Sequence, residues 1–215
     1  MKFIRNNIFF YASLLLCSFV HLPEKKYPFE KWGIETVARA NTAKRTAFLS
    51  QNEKGVIFHL NLIRMNPKLY GETYAARYLD SSKIRRTQYV KSLMEEFKKT
   101  KQLLPLKPDS MLWLLAREHA KDMGKSGKTG HRSSSGKSFE QRQIEIYKED
   151  VCCIGENCDY GFNKPIDIVM HLMIDEGVPD YGHRENILDK QYNLVGVSIK
   201  KHKKWEWNCV MDLKY

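Results

Sequence analysis

The chain has 215 residues, 42% of them hydrophobic and 12% aromatic, which is enough apolar material for the core of one domain with an appendage. Its formal net charge is +11, a balance that can attract polyanions. The basic residues are scattered and the sequence contains no recognisable nucleic-acid-binding module. We therefore predict a solvated basic surface and no nucleic-acid partner.

The N-terminus has the pattern of a secretory signal peptide. Lys2 and Arg5 precede a run of 13 mostly apolar residues at 8–20. This run is shorter than the roughly 20 residues that a membrane span needs. We assign residues 1–20 to a signal peptide or N-terminal anchor and expect a secreted, extracellular or cell-envelope protein. Membrane association through this N-terminus, including a lipid on Cys17, stays open.

The domain is expected to follow a linker. Residues 21–47 contain prolines, a glycine and several charges, and we interpret them as the end of the leader and a linker. Residues 48–215 are predicted to form the domain. Its first helix begins after Ser50, which can cap the helix, and Glu53 three residues later fits a capping box. Pro67 should end this helix, and a second short helix follows it.

Several polar residues fall within the predicted helices. Asn61 and Arg64 lie three residues apart on the first helix and are expected at the surface, although they could anchor a polar contact. An amphipathic helix is predicted over 91–104. A further helix over 111–123 carries His119 on its apolar face. We expect His119 to be a hydrogen-bonded core histidine rather than a ligand.

The next segment places a histidine and a carboxylate at the ends of elements. A loop at 124–136, rich in Gly, Ser and Lys, carries His131 directly after a glycine, where it is well placed to face a cleft. A short helix is predicted over 138–147. The apolar run at 151–154 predicts a strand that leads into a turn with Glu156 at its centre.

The C-terminal third contains a helix and a hairpin. The apolar pattern predicts a mostly buried helix over 165–175, in which His171 and Asp175 lie one turn apart and can interact. Alternating apolar residues at 194–200 and 205–213, joined by a lysine-rich turn, predict an antiparallel β-hairpin.

The cysteine count is compatible with disulfides. If Cys17 leaves with the signal peptide, an even number remains in an exported chain, and three pairings are open. The neighbours Cys152 and Cys153 should point to opposite sides of a strand, so they are not expected to pair with each other. A zinc site made of cysteines is less favoured because the chain has no CxxC pair. The remaining cysteines are Cys152, Cys153, Cys158 and Cys209.

Five side chains have the chemistry of a divalent metal site. Imidazoles and carboxylates are the ligands that zinc accepts, and a metal beside a free carboxylate could hydrolyse a bond by activating water. The alternative is structural, with Glu156 capping backbone amides and His183 bonded to a neighbouring carbonyl. The spacing matches no local metal motif, so the residues alone favour the structural alternative. The five are His131, Glu156, Asp175, Glu176 and His183.

Five separate motifs, in this order and spacing, resemble the CAP superfamily, which includes cysteine-rich secretory proteins, insect antigen 5 and plant pathogenesis-related proteins. The most similar branch is that of the bacterial SCP-like extracellular proteins, where GHR-x-NIL replaces the HYTQ pattern of animals and plants. The resemblance covers residues 50–215. The motifs are Gly130-His131, Gly155-Glu156-Asn157, an apolar helix ending in Asp175, Gly182-His183-Arg184-Glu185-Asn186-Ile187-Leu188, and Val195-Gly196-Val197.

The resemblance implies an α+β fold, a three-layer α/β/α sandwich with a small, mostly antiparallel central sheet. It also implies a cleft with a tetrad of His131, Glu156, Asp175 and His183, which in several relatives binds zinc or another divalent cation. His131 and His183 are the expected metal ligands, and their neighbours are Glu176, Arg184 and Asn186. Two departures stand out: Asp175 replaces the usual Glu, and Cys158 replaces an aliphatic residue.

Three functions are compatible with this resemblance. The favoured one is a secreted, non-catalytic binding module whose cleft holds a metal and a lipid, cell-wall or protein ligand. The second is a metal-dependent hydrolase of peptide or cell-wall material, with Glu156 as the catalytic base. The third is a structural secreted domain in which the tetrad only stabilises the cleft. A fold by itself does not select among them.

Overall fold

The computed structural model describes residues 27–148 and 154–215. The predicted signal peptide and Cys17, together with Cys152 and Cys153, lie outside the described residues. Within the described part of the chain, no helix has the length and apolarity to cross a membrane.

Most described elements correspond to predicted ones, but the turn predicted around Glu156 is wrong, because Glu156 lies within a strand. A 3-10 turn at Phe29–Lys31 comes first, and a π-helical turn at Gly71–Ala75 connects two of the helices. The helices are α1 (Ile34–Ala40), α2 (Gln51–Met65), α3 (Pro67–Tyr70), α4 (Ala76–Ser81), α5 (Gln88–Lys99), α6 (Ser110–Ser126), α7 (Phe139–Tyr147), α8 (Pro165–Ile174) and α9 (Gly182–Leu188). The strands are β1 (Lys107–Pro108), β2 (Ile154–Tyr160), β3 (Leu194–His202) and β4 (Glu206–Lys214).

The described strands form one small, mostly antiparallel sheet in the order β1-β3-β4-β2. The predicted hairpin is confirmed as β3 and β4, with Val197 opposite Met211. β2 pairs antiparallel with β4, and the short β1 pairs parallel with β3. β2 therefore forms one edge of the sheet, and its side chains alternate between the two faces, so Glu156 and Asp159 lie on opposite faces.

Alternation along the strands assigns each face of the sheet to its own helical layer. Side chains such as Cys158 and Val210 pack against Ala116 and Ala120 of α6. The opposite face, with residues such as Val197 and Met211, belongs to the large core shared with α2 and α8. The predicted α/β/α sandwich is confirmed.

Gly196 shows how closely α6 lies against the sheet. A Cβ at this position would be 2.1 Å from the carbonyl carbon of Leu112 and from the backbone nitrogen of Trp113. Only glycine allows the helix backbone to approach this strand so closely.

The predicted linker contributes to the packed domain. Part of it forms α1, and Ala40 and Ala43 are fully or almost fully buried in the large core. The Asn61 side chain also donates to the carbonyl of Ala40 at 2.9 Å. The packed unit thus begins before the boundary predicted at residue 48, because small apolar residues between the charges also contribute to the core.

The predicted surface positions of Asn61 and Arg64 are wrong, since both are fully buried. Arg64 donates to the carbonyls of Leu104, Ile187, Asp189 and Tyr192 at 2.7–2.9 Å. Asn61 donates to the carbonyl of Leu106 and accepts from its backbone N–H at 2.7 Å. These polar groups are tolerated in the core because distant backbone groups satisfy them.

Candidate functional site

A cavity of about 670 Å³ opens beside the free edge of β2. Its volume lies within the range usual for small-molecule sites, roughly 300–1,000 Å³. Apolar side chains form much of its wall, and three histidines and three carboxylates also reach it. The lining is Thr129, Gly130, His131, Cys158, Asp159, Tyr160, Gly161, Phe162, His171, Leu172, Asp175, Glu176, Val178, His183 and Trp205.

His131 reaches the cavity from the loop between α6 and α7, with Glu156 behind it. Its Nδ1 bonds the Glu156 carboxylate at 2.9 Å, and its side chain is 53% exposed whereas that of Glu156 is only 1% exposed. The hydrogen bond to Glu156 raises the pKa of His131. Glu156 itself does not line the cavity, so its described contacts give it the role of orienting the imidazole.

Arg142 of α7 neutralises Glu156 from the other side. Its Nη2 donates to both carboxylate oxygens at 2.8 Å and to the carbonyl of His131 at 2.9 Å. Burial alone would raise the pKa of Glu156, but the hydrogen bond from His131 and the charge of Arg142 lower it. Arg142 was not predicted from the sequence, because nothing local links a helical arginine to a carboxylate on the next strand.

A second carboxyl group lies beside Glu156 on the neighbouring strand. Asp212 of β4 is directly opposite Glu156 in the register and is fully buried. Neither of its oxygens has a hydrogen-bond partner that meets normal geometry within the described structure. Burial, followed by the charge of Glu156, raises the pKa of Asp212 well above its usual range. Burial and the neighbouring charge therefore favour the protonated form of Asp212, whereas the contacts of Glu156 favour its charged form.

The second predicted pair comes together at the junction of α8 and α9. Asp175 follows α8 with a left-handed backbone, φ 58°. Its Oδ1 bonds His183 Nδ1 at 2.7 Å, and its Oδ2 accepts from the backbone N–H groups of His183 and Arg184 at 3.0 and 3.3 Å. Asp175 thus caps α9 and fixes the imidazole with one side chain, and its shorter length relative to Glu suits this tight turn.

The predicted neighbours Arg184 and Asn186 hold α9 in place and do not line the cavity. Arg184 is buried, donates to the carbonyls of Met173 and Ile174 at 2.8 and 3.0 Å, and lies 4.4 Å from the ring centroid of Tyr181. Asn186 donates to Asn157, which in turn donates to the carbonyl of His183. The other polar residues of the GHR-x-NIL segment therefore fix the position of α9 and, with it, of His183.

Glu176 does line the cavity and is exposed. Within the described residues it makes no hydrogen bond, unlike the carboxylates of Asp159 and Asp175. It is the cavity carboxylate that remains available to a ligand or a water molecule.

A third carboxylate–histidine pair was not predicted. Asp159 of β2 bonds His171 Nδ1 of α8 at 2.5 Å. The charge of Asp175 does act on His171 and raises its pKa, but the Asp175 side chain forms its hydrogen bond with His183. Because side chains alternate along a strand, Asp159 lies on the same face of β2 as Asn157, two residues earlier. This spacing was the available sequence signal for the position of Asp159.

His131 and His183 could each coordinate a metal ion through Nε2. The carboxylates occupy Nδ1 of His131 and His183, and no described residue bonds their Nε2 atoms. This carboxylate–histidine arrangement is the usual support of a zinc ligand. A bound divalent ion would supply Lewis-acid polarisation of a ligand oxygen.

A different group of potential ligand atoms lies closer together. Atoms of His119, Glu156 and Cys158 are all within 4.8 Å of one another. The Arg142 cation, however, already binds both oxygens of Glu156 and opposes a second cation there. His119 is buried and its Nε2 bonds the carbonyl of Gly130 at 2.9 Å, as expected for a core histidine.

The described cysteines are not in disulfides. Cys158 and Cys209 are free and buried, and burial raises the pKa of both thiols. They therefore behave as small core residues of low reactivity. Of the three pairings left open by the sequence, the one that joins Cys158 to Cys209 is not present in the structure.

The sequence profile of the cysteine-rich secretory protein family, CAP, matches residues 61–212. That range includes the predicted tetrad and most of the described sheet. A search of curated proteins finds no match.

Several solved structures are similar to this chain. One is an extracellular protein with an SCP domain from Bacillus anthracis, at 18% identity and TM-score 0.43 over 58% of this chain; the match spans 38% of that protein. Another is an outer surface protein of Borrelia burgdorferi, at 19% identity and TM-score 0.42, covering 61% of this chain and 95% of that one. A third is venom allergen-like protein 4 of Schistosoma mansoni, at 15% identity and TM-score 0.46, covering 77% and 89%.

Proposed function

The chain belongs to the cysteine-rich secretory protein (CAP) family, and we propose that it is an exported binding protein. Its cleft holds a divalent metal ion, with zinc as the first candidate, between His131 and His183. The remaining apolar cavity receives an organic ligand such as a lipid or a cell-surface component. The observation that carries the proposal is that His131 and His183, two of the three cavity histidines, have Nδ1 fixed by a buried carboxylate.

The supporting carboxylates prepare the site for a cation. Glu156 and Asp175 have side chains that are only 1% exposed, so they are poor direct partners for a ligand in the cavity. Each instead keeps one imidazole oriented, which is the role of the outer partner of a metal ligand. Orientation is fixed before the metal arrives, so less conformational entropy is lost on binding.

The apolar character of the proposed organic ligand is inferred from the other residues that line the cavity. Phe162, Leu172, Val178 and Trp205 line the same cavity as the histidines. Trp205 is 52% exposed, so part of its ring is accessible to a ligand. A ligand with an apolar body and one oxygen donor would fill the apolar wall and reach the metal.

A hydrolytic role needs a free base beside the metal. Glu156, the base expected from the sequence, is bonded by Arg142 and His131 and lies behind the cavity wall. Glu176 is exposed in the cavity, so it would be the base of a hydrolase. Zinc-dependent cleavage of a peptide or cell-wall substrate, lost in Glu176→Gln, would favour this second function.

The first experiment is a zinc titration of the full chain by calorimetry. It compares the wild type with the His131→Ala/His183→Ala variant. The control is His59→Gln, which removes a histidine that does not line the cavity and bonds Tyr70 instead. We expect binding by the wild type and the control, and none by the double variant. Absence of zinc binding by the wild type would leave the tetrad a structural feature.

A further inference from the structure

A basic surface lies at the tip of the β3–β4 hairpin, where the hairpin turn meets the end of α6. An open cavity of about 480 Å³ is found there, and five of its seven lining residues are lysines, with no carboxylate among them. Five exposed lysines of the turn and of the end of α6 define what we call the hairpin surface. They are Lys125, Lys128, Lys201, Lys203 and Lys204.

The fold brings these lysines together from two distant segments, since Lys128 and His202 are 74 residues apart. The backbone N–H of Lys203 donates to the carbonyl of Gly124 at 3.0 Å. His202 is only 4% exposed, and its Nε2 donates to the carbonyl of Lys128 at 2.9 Å. Its Nδ1 accepts from the backbone N–H of Lys204 at 3.1 Å. The turn is therefore fixed against the end of α6, and the lysines form one surface.

The charges of the hairpin surface are not balanced by the protein. Among the described residues, no carboxylate lies within ion-pair distance of its five lysines. The two less exposed lysines of the cavity, Lys121 and Lys200, each have a carboxylate nearby, at 3.2 and 3.5 Å. Elsewhere an exposed lysine such as Lys137 pairs with Glu145. Because clustered like charges raise the local potential, this surface attracts an anionic partner more strongly than isolated lysines do.

An aromatic ring lies beside these lysines. Trp205 follows Lys204 directly, is 52% exposed and lines the main cavity. Thr129, which follows Lys128, lines that cavity as well. The hairpin surface therefore borders the main cavity. Tryptophan favours the boundary between hydrocarbon and water in a membrane, and clustered lysines favour anionic head groups.

We propose that the hairpin surface docks the protein onto an anionic lipid bilayer, with Trp205 at the level of the head groups. A bilayer matches both features, because its head groups balance the lysine charges and its hydrocarbon boundary covers the Trp205 ring. A soluble polyanion would balance the charges but leave this ring in water. Docking in this orientation brings the main cavity to the bilayer, so that a lipid enters it directly, and this last step alone rests on the proposed function.

The test measures the partition of the full chain onto vesicles in the presence of a chelator. Vesicles of phosphatidylcholine are compared with an equal mixture of phosphatidylcholine and phosphatidylglycerol. The neutral vesicles measure any contribution of the apolar N-terminal run, so the ratio of the two partition coefficients reports the basic surface. Lys125→Gln/Lys203→Gln/Lys204→Gln should lower this ratio about 100-fold, because each lysine near an anionic surface contributes about fivefold. The wild-type ratio should also fall as salt is added.

The matched control removes the same charge from another part of the surface. Lys91→Gln/Lys99→Gln/Lys101→Gln replaces lysines on and after α5, which are also exposed and outside any described ion pair. This variant should keep the wild-type ratio. Tryptophan fluorescence gives a second readout: the anionic vesicles should shift the emission of the wild type to shorter wavelength, and Trp205→Phe should lose most of that shift.

Equal ratios for the wild type and the hairpin variant would refute docking through this surface. Binding to soluble polyphosphate without binding to the anionic vesicles would also refute it and assign the lysines to a soluble polyanion. The His131→Ala/His183→Ala variant should bind the vesicles as the wild type does. A failed zinc titration and a failed vesicle assay are therefore separate results, the first against the proposed metal site and the second against membrane docking.

Discussion

Replacement of Arg142 by Met should destabilise the protein strongly, because it leaves the buried Glu156 charge without its cation. The two side chains are only 8% and 1% exposed, and Nη2 contacts both carboxylate oxygens at 2.8 Å. Breaking a buried ion pair by removing one partner costs about 3–5 kcal/mol. For a chain of this size, each kcal/mol lowers Tm by about 2–4 °C, so the expected loss is about 6–20 °C.

The same reasoning predicts a rescue. In Arg142→Met/Glu156→Gln both charges are absent, and replacement of a whole buried pair is often close to neutral. The double variant should therefore recover most of the lost free energy of unfolding. Arg86→Met provides the control, since Arg86 and Asp80 are also 2.9 Å apart but are 47% and 30% exposed. Its expected cost is about 0–1 kcal/mol.

Urea unfolding in the presence of a chelator measures these differences without a contribution from bound metal. A loss of less than about 1 kcal/mol in Arg142→Met would show that the buried charge is compensated elsewhere. A double variant less stable than Arg142→Met would show that the packing of Arg142, and not its charge, supports the site. Either result would refute the conclusion that Glu156 is a buried anion stabilised by the Arg142 charge.

Two further predictions concern the sheet. Because the folded pKa of Asp212 is raised above its unfolded value of about 3.9, its stabilising contribution is complete below that pH and is lost as the pH rises through the folded pKa. Asp212→Asn should thus flatten the fall in unfolding free energy as the pH rises above that unfolded value, and equal slopes for both proteins would contradict this. Gly196→Ala should cost about 3 kcal/mol or more, because its Cβ would lie 2.1 Å from backbone atoms of α6. Gly182→Ala, whose Cβ would meet its nearest atom at 3.7 Å, is the control, and a similar melting temperature for both variants would be the contrary result.

Local patterns predicted the elements that carry their own start and stop residues. The capping box of Ser50 and Glu53 is present, and Ser138 and Gln141 form a second one at α7. The alternation that predicted the hairpin corresponds to β3 and β4. Such features depend on neighbours within a few residues, which the sequence displays directly.

Contacts across long stretches of chain were not predictable in this way. Arg64 finds its acceptors 40 to 128 residues away, so its helix position alone suggested a solvent-facing cation. The helical spacing indicated that His171 and Asp175 can interact, but the hydrogen-bond partner of His171 is Asp159, which comes from the preceding strand. The resemblance to a family supplied the tetrad, but it gave no role to His171, although His171 lies on the shared apolar helix that ends in Asp175.

The position of β2 at the sheet edge gives the cavity a mechanical property. His131 is anchored through Glu156 to the layer of α6 and α7, whereas His183 is anchored through Asp175 to the layer of α8 and α9. A molecule bound by both imidazoles would act as a non-covalent cross-link between these two helical layers. Greater flexibility in either layer would change the relative position of the two imidazoles. Mutations far from the cavity could therefore alter ligand retention without changing any residue that contacts the ligand.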